Sequence, residues 1–177
     1  HWLETAKRLV EIIKTRFADQ TGEGFYSTEV SHANLLLRVR PLHDTAEPSG
    51  NAMAAMALAR LGHYFNLADY LSLAEGSLSQ AASLAHRAPL GFLNTMLVAD
   101  YIVESPVEIV FCGQPESKEV LAWKHALAQE FIPCRIVAYN DGQDIPLQRS
   151  LFEAKAMVEG KPTVYVCQNR RCLPPVN

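Results

Sequence analysis

The sequence predicts a mainly α-helical protein that ends in a small α/β element: helical hairpins over residues 1–104, then a three-stranded, largely parallel sheet over 105–177. Three observations predict this. Apolar residues recur at helical spacing through the first hundred residues. At Ser105-Pro106 the pattern changes to short β-branched runs. Those runs come in the order strand, helix, strand, which means a right-handed βαβ unit with parallel strands.

The elements follow in order. Trp2, Ala6, Leu9, Val10, Ile13 and Phe17 share a helical face, with Glu4, Lys7, Arg8, Glu11 and Lys14 opposite. The turn residues from Asp19 to Gly24 end that helix. Phe25–Thr28 and Leu35–Val39 read as two short extended segments that pair as a small β-ribbon. In such a segment Arg38 and Arg40 share one face. There they can bind a carboxylate or orient neighbouring acids. The chemically plain alternative is a surface ion pair worth little. A second helix runs from Ala52 to a stop at Gly62. A third carries Leu67, Leu71, Ala74, Leu78, Ala81 and Ala85. A fourth starts near Pro89 and carries Leu93, Met96, Leu97 and Tyr101. Short loops between these helices make them antiparallel neighbours or hairpins.

In the tail, Val107–Cys112 is a buried strand closed by Gly113, and 117–131 is helical. Cys134–Tyr139 is the second strand, 141–146 a loop, Leu151–Val158 a short helix and Thr163–Cys167 the third strand. Cys112 and Cys134 are expected to be buried thiols in these strands.

Chemistry concentrates in Asp44-Thr-Ala-Glu-Pro-Ser-Gly-Asn51, directly before the second helix. Pro48 suits a helix start, and Ser49 or Asn51 can cap its free N–H groups. Asp44 and Glu47 then sit in a loop held at a helix N-terminus, a usual place for chemistry. Acids there also favour the helix dipole without any further role. The candidate binding residues are Arg38, Arg40, His43, Asp44, Glu47, Ser49 and Asn51. No catalytic residue is assigned.

A chain of 177 residues with a net charge of −3 gives no reason to expect nucleic acid or a membrane surface as partner. No apolar stretch approaches bilayer-spanning length. Four irregularly spaced cysteines fit a reducing cytoplasm better than a disulfide scaffold. The chain opens at His1 inside a helical pattern, which reads as a piece of a longer protein. No glycine-rich phosphate loop is present. Cys167 and Cys172 have neither the C-x-x-C spacing of thiol exchange nor a second pair for zinc. Neither cofactor nor metal is therefore expected.

Several strings carry a family resemblance: Arg38-x-Arg40, Asp44-x-Ala-Glu-Pro-Ser-Gly-Asn51, Phe17-x-Asp19 with Gly24-Phe25, and the ending Tyr165-Val-Cys167-x4-Cys172-x-Pro-Pro175. Over essentially its whole length the chain resembles the last part of the thioredoxin-domain-containing family that includes spermatogenesis-associated proteins. It departs at Thr45, where glycine is common, a difference confined to the local turn. The resemblance implies a thioredoxin-like domain in the missing N-terminal part. It also implies an (α/α)6 toroid similar to N-acylglucosamine 2-epimerases and six-hairpin glycosidases, of which this chain supplies the final hairpins. The family's redox cysteines lie outside the chain. The epimerases' catalytic histidines have no matching motif here.

Two function classes remain open. One is a non-catalytic helical module of a multidomain protein, whose partners are the missing thioredoxin-like domain and remaining hairpins. The other is a fragment of a carbohydrate-active enzyme, epimerase- or glycosidase-like, with Asp44 and Glu47 at a cavity mouth and a small sugar as ligand. An open helical edge would expose apolar surface, so a homodimer that hides it is expected.

Overall fold

The computed structural model describes residues 2–32, 35–143, 146–169 and 171–177. Four helices form before the tail: α1 (Trp2–Arg16), α2 (Gly50–Phe65), α3 (Ala68–Ala85) and α4 (Leu93–Glu104). Pro89 opens a single 3-10 turn, Pro89–Gly91, rather than α4 itself. The tail holds β1 (Val107–Cys112), α5 (Lys118–Ala128), β2 (Arg135–Asn140), the one-turn helix α6 (Arg149–Phe152), β3 (Thr163–Gln168) and β4 (Arg171–Cys172). The protein is thus mainly α with a small sheet. It divides into two compact units, His1–His63 with Leu67–Val103, and Tyr64–Asn66 with Glu104–Asn177.

In the first unit α2 is the buried helix. Ala52, Ala55, Leu58 and Ala59 are buried along it, and small side chains there let other segments come close. Gly62 does not end this helix, as the sequence leads one to expect. The helix runs on to Phe65, and Asn66 takes the left-handed conformation with φ 53°. The Leu67 N–H closes back on the Gly62 carbonyl at 2.9 Å, the 6→1 bond that commonly finishes a helix. Gly62 serves packing instead: a Cβ there would lie 2.7 Å from Leu71 Cδ2 of α3. Between α1 and α3, Tyr70 donates its hydroxyl to Glu11. Lys14 reaches Glu11 at 3.3 Å and Asp69 at 2.9 Å.

The β-ribbon expected between 25–28 and 35–39 does not form. Ser27 alone bonds the Val39 carbonyl, through its N–H at 2.8 Å and its hydroxyl at 3.1 Å. Phe25 instead forms an isolated antiparallel bridge with Ala18, and its own N–H and carbonyl are both taken by Asn51.

In the second unit the sheet order is β2-β1-β3-β4. β1 and β2 pair in parallel, joined through α5 as a βαβ unit requires. The expectation of a largely parallel, three-stranded sheet is corrected: β3 and β4 are antiparallel additions, so the sheet is mixed and four-stranded. The register gives the reason. Cys112, at the end of β1, lies opposite both Asn140 and Thr163. β3 therefore starts at the edge where β2 stops, and the chain need not travel back along the sheet. Asp144 and Ile145 of the expected loop lie outside the described residues. The expected helix Leu151–Val158 is only one turn. Ala154 sits at φ 58°, and Glu159 and Gly160 form a left-handed turn. Thr163 Oγ1 accepts the Val158 N–H at 2.9 Å, which holds this stretch as a turn.

The period-2 alternation of β1 gives the sheet two buried faces. Val110 and Cys112 pack with Ile136, Ala138 and Leu151, beside Tyr64 and Phe152. Ile109 and Phe111 pack with Val120, Trp123 and Leu127 of α5. Ser117 caps α5, accepting the Val120 N–H at 3.4 Å. The Cys112 thiol is buried, but that of Cys134 is only partly so, and Cys134 precedes β2 rather than lying in it. Cys167 and Cys172 face each other across β3 and β4 and are joined by a disulfide. No helix among the described residues is long and apolar enough to cross a membrane.

Val110 is fully buried at the centre of the sheet. Val110→Ala should destabilise the protein by about 2 kcal/mol, from lost burial plus a residual cavity. Urea denaturation monitored by circular dichroism measures it.

Candidate functional site

The polar stretch before α2 is built around Asn51, the second residue of that helix. Its side chain does not cap the helix. Ser49 does, its hydroxyl accepting the Ala52 N–H at 3.1 Å. The Asn51 amide points instead at two loops. Its Oδ1 accepts the Phe25 N–H at 2.7 Å, and its Nδ2 donates to the Phe25 carbonyl at 2.9 Å and the Pro41 carbonyl at 3.0 Å. Asn51 is 2 % exposed. Gly24 lies against it at φ 131°, where a Cβ would come within 2.6 Å of Oδ1.

Asp44 is likewise committed to backbone. One carboxylate oxygen accepts the Ser49 N–H at 2.9 Å. The other accepts the Asn94 N–H in the first turn of α4, also at 2.9 Å. Phe92, before α4, has no side-chain oxygen to cap it, so Asp44 supplies the acceptor from another loop. Partial desolvation raises the Asp44 pKa, but the Asn94 and Ser49 amides outweigh it and hold the carboxyl below its ordinary value.

The two arginines work in the neighbouring loop, not on Asp44 or Glu47. The Arg38 guanidinium lies 4.0 Å over the Tyr26 ring and donates to the Thr28 carbonyl at 2.7 Å. Arg40 is 5.5 Å from the same ring and pairs with Asp19 at 2.7 Å. The apolar side chains that alternate with them point outward, with Leu37 75 % and Val39 56 % exposed. His43 rests on the Phe92 ring at 4.6 Å. Glu47 is exposed. Its backbone carbonyl accepts the Thr45 N–H at 2.9 Å, and its carboxylate bonds to none of the described residues.

Chemically, this arrangement fixes backbone. A carboxylate with each oxygen already serving an amide N–H is kept ionised and has little capacity to trade protons with a substrate. Among the described residues no group of three or more His, Cys, Asp or Glu is placed to hold a metal ion. Sequence reasoning singled out Asn51, Asp44 and Ser49 but not their partners Gly24, Phe25 and Asn94. It also missed Tyr26 and Asp19 as the seats of the arginines. The one signal available for Asp19 and Gly24 was their place in the resembling string Phe17-x-Asp19…Gly24-Phe25.

The molecule is therefore of a class defined by structure: a helical unit whose polar loop is spent on folding, and a mixed α/β unit. No family model matches the chain. It is 27 % identical over 179 residues to spermatogenesis-associated protein 20 of mouse and to the human protein of the same name. It is 25 % identical over 176 residues to an uncharacterized protein of Caenorhabditis elegans. Each alignment covers 99 % of this chain. The chain spans only 23 % of the length of the mammalian relatives and 24 % of the nematode protein.

Two predictions test this site. Asn51→Ala leaves the buried Phe25 amide and two carbonyls without partners and should cost about 3 kcal/mol. Glu47→Ala should stay within about 0.5 kcal/mol of the parent. Chemical denaturation of both variants separates them.

The second concerns acid. The folded pKa of Asp44 lies below its ordinary 3.8. Its contribution is therefore complete above about pH 4 and is lost as pH falls through the lower folded value. Asp44→Asn should be less stable than the parent at pH 7 and show a shallower loss below pH 4. Parallel acid denaturation curves for the two proteins would contradict this.

Proposed function

We propose that this chain is a non-catalytic, structural module within a larger multidomain protein. One observation carries the reading: the polar residues most suggestive of chemistry, Asp44 and Asn51, are satisfied by backbone N–H and carbonyl groups. The relatives support the larger context, since they are about four times as long and match this chain throughout. On this reading the chain corresponds to their C-terminal part. Residues 1–104 form one domain, the last helical hairpins of an (α/α) toroid, and residues 105–177 form an α/β terminal domain. A thioredoxin-like domain and the remaining hairpins are its partners in the same polypeptide, in the cytoplasm.

The exposed pair Leu37 and Val39 supports an edge that the remaining hairpins, or a second copy, cover. Arg38, Arg40, His43, Asp44, Ser49 and Asn51 then act in shape rather than in turnover, and Glu47 is a solvated side chain. A carbohydrate-active reading would need the Asp44 carboxylate free for proton transfer, and its two amide bonds oppose that.

The test is to assay the chain and the full-length protein side by side on a panel of N-acylated and plain sugars. The module reading expects no turnover by the chain, and full-length activity, if found, to survive Glu47→Ala. Turnover by the chain at the full-length rate would overturn it.

A further inference from the structure

We infer that the Cys167–Cys172 disulfide is a redox latch: a small dithiol that reduces it releases residues 171–177 and uncovers the outer edge of β3. β3 is held unequally on its two sides. Its inner edge pairs with β1 over five residues, from Glu108↔Cys167 to Cys112↔Thr163. The Gln168 side-chain amide also donates to the Glu104 and Ser105 carbonyls at 3.2 and 3.0 Å. Among the described residues, the outer edge is paired only with the tail. β4 contributes two residue pairs, Cys167↔Cys172 and Gln168↔Arg171. Beyond it, the Leu173 N–H reaches the Val166 carbonyl at 2.9 Å, and Val164 and Val176 exchange N–H···O bonds of 2.8 and 3.1 Å.

Those backbone bonds gain little support from packing. Residues 171–177 are all exposed, Leu173 and Val176 included. Pro174 and Pro175 restrict the unfolded tail, but they bring no N–H to the ladder. A strand of this kind, with few bonds and no buried face, is marginal unless something ties it down. The disulfide is that tie, and it closes a loop of only a few residues against an edge that is otherwise firm.

The chemistry has a direction. Cys172 is exposed, while Cys167 is buried. A thiolate of the dithiol attacks Cys172 Sγ, the S–S bond breaks, and Cys167 leaves as a thiolate that takes up a proton. The second thiol of the reductant then attacks the mixed disulfide and frees the Cys172 thiol. The protein gains two electrons and two protons, and the dithiol becomes a cyclic disulfide. Cys112 does not compete as an exchange partner, because burial pushes its thiol up to about 11 against a smaller opposing effect of Lys155. Once the tail leaves, the Val164 N–H and Val166 carbonyl face solvent as an open strand edge, the form that accepts an added strand.

Hydrogen–deuterium exchange read by mass spectrometry, with and without dithiothreitol, tests the latch. Alkylation of Cys167 and Cys172 confirms that the bridge is broken. The expected result is exchange at least about tenfold faster at Val164, Leu173 and Val176 after reduction, with β1 amides unchanged. Cys172→Ser should show the fast pattern without reductant. Unchanged exchange in the verified reduced protein would overturn the inference. So would faster exchange throughout β1, which would make the bridge a staple of the whole sheet. Finding both cysteines as free thiols in protein kept under oxidising conditions would do the same.

Discussion

The helical unit depends on one buried amide. Asn51 joins three segments that no helix or ladder joins: the turn at Gly24-Phe25, the loop at Pro41 and the start of α2. An asparagine can do this because it offers both donor and acceptor in one short, rigid group. Its cost when unmatched is high, so its surroundings are tightly specified. Gly24 must lack a side chain, and Phe25 bridges Ala18 rather than the 35–39 segment. Ser49 must cap α2 so that Asn51 is left free to turn away from the helix start.

The same logic explains why acids and hydroxyls crowd into eight residues. The stretch from Asp44 to Asn51 serves two helix starts at once: Ser49 satisfies α2, and Asp44 reaches across to α4. Density of polar groups is here a sign of unsatisfied helix ends brought together, rather than of a reacting centre. Arg38 and Arg40 add a second fixed point on Tyr26 and Asp19. This keeps their charges inward and leaves Leu37 and Val39 turned to solvent.

Much of the fold was legible in the sequence because periodicity is a local property. The four helices, β1, β2 and α5 all declare themselves within a window of their own residues. What was not legible depends on distant residues. Gly62 has the composition of a helix stop, but Leu71 makes it a packing glycine inside the helix. Leu35–Val39 has the pattern of a strand, yet its intended partner Phe25 belongs to Asn51. The direction of β3 is set by where β2 ends, which no residue of β3 records. In the candidate site the helix cap was readable between Ser49 and Asn51, but the choice was not, since it follows from loops 26 and 10 residues away. The pairing of Cys167 with Cys172 was equally hidden, because it rests on the two strands lying opposite each other.

Asn51 holds the loop at Phe25 as firmly as the helix it starts from. Native-state exchange of the single Phe25 amide proton, compared with amides in the middle of α2, tests this most directly. That proton lies outside any regular ladder and is bonded by the Asn51 side chain. It should exchange only when the unit unfolds, at the rate of the Leu58 amide and with the same dependence on denaturant. Exchange at the rate of an open loop, insensitive to denaturant, would contradict it.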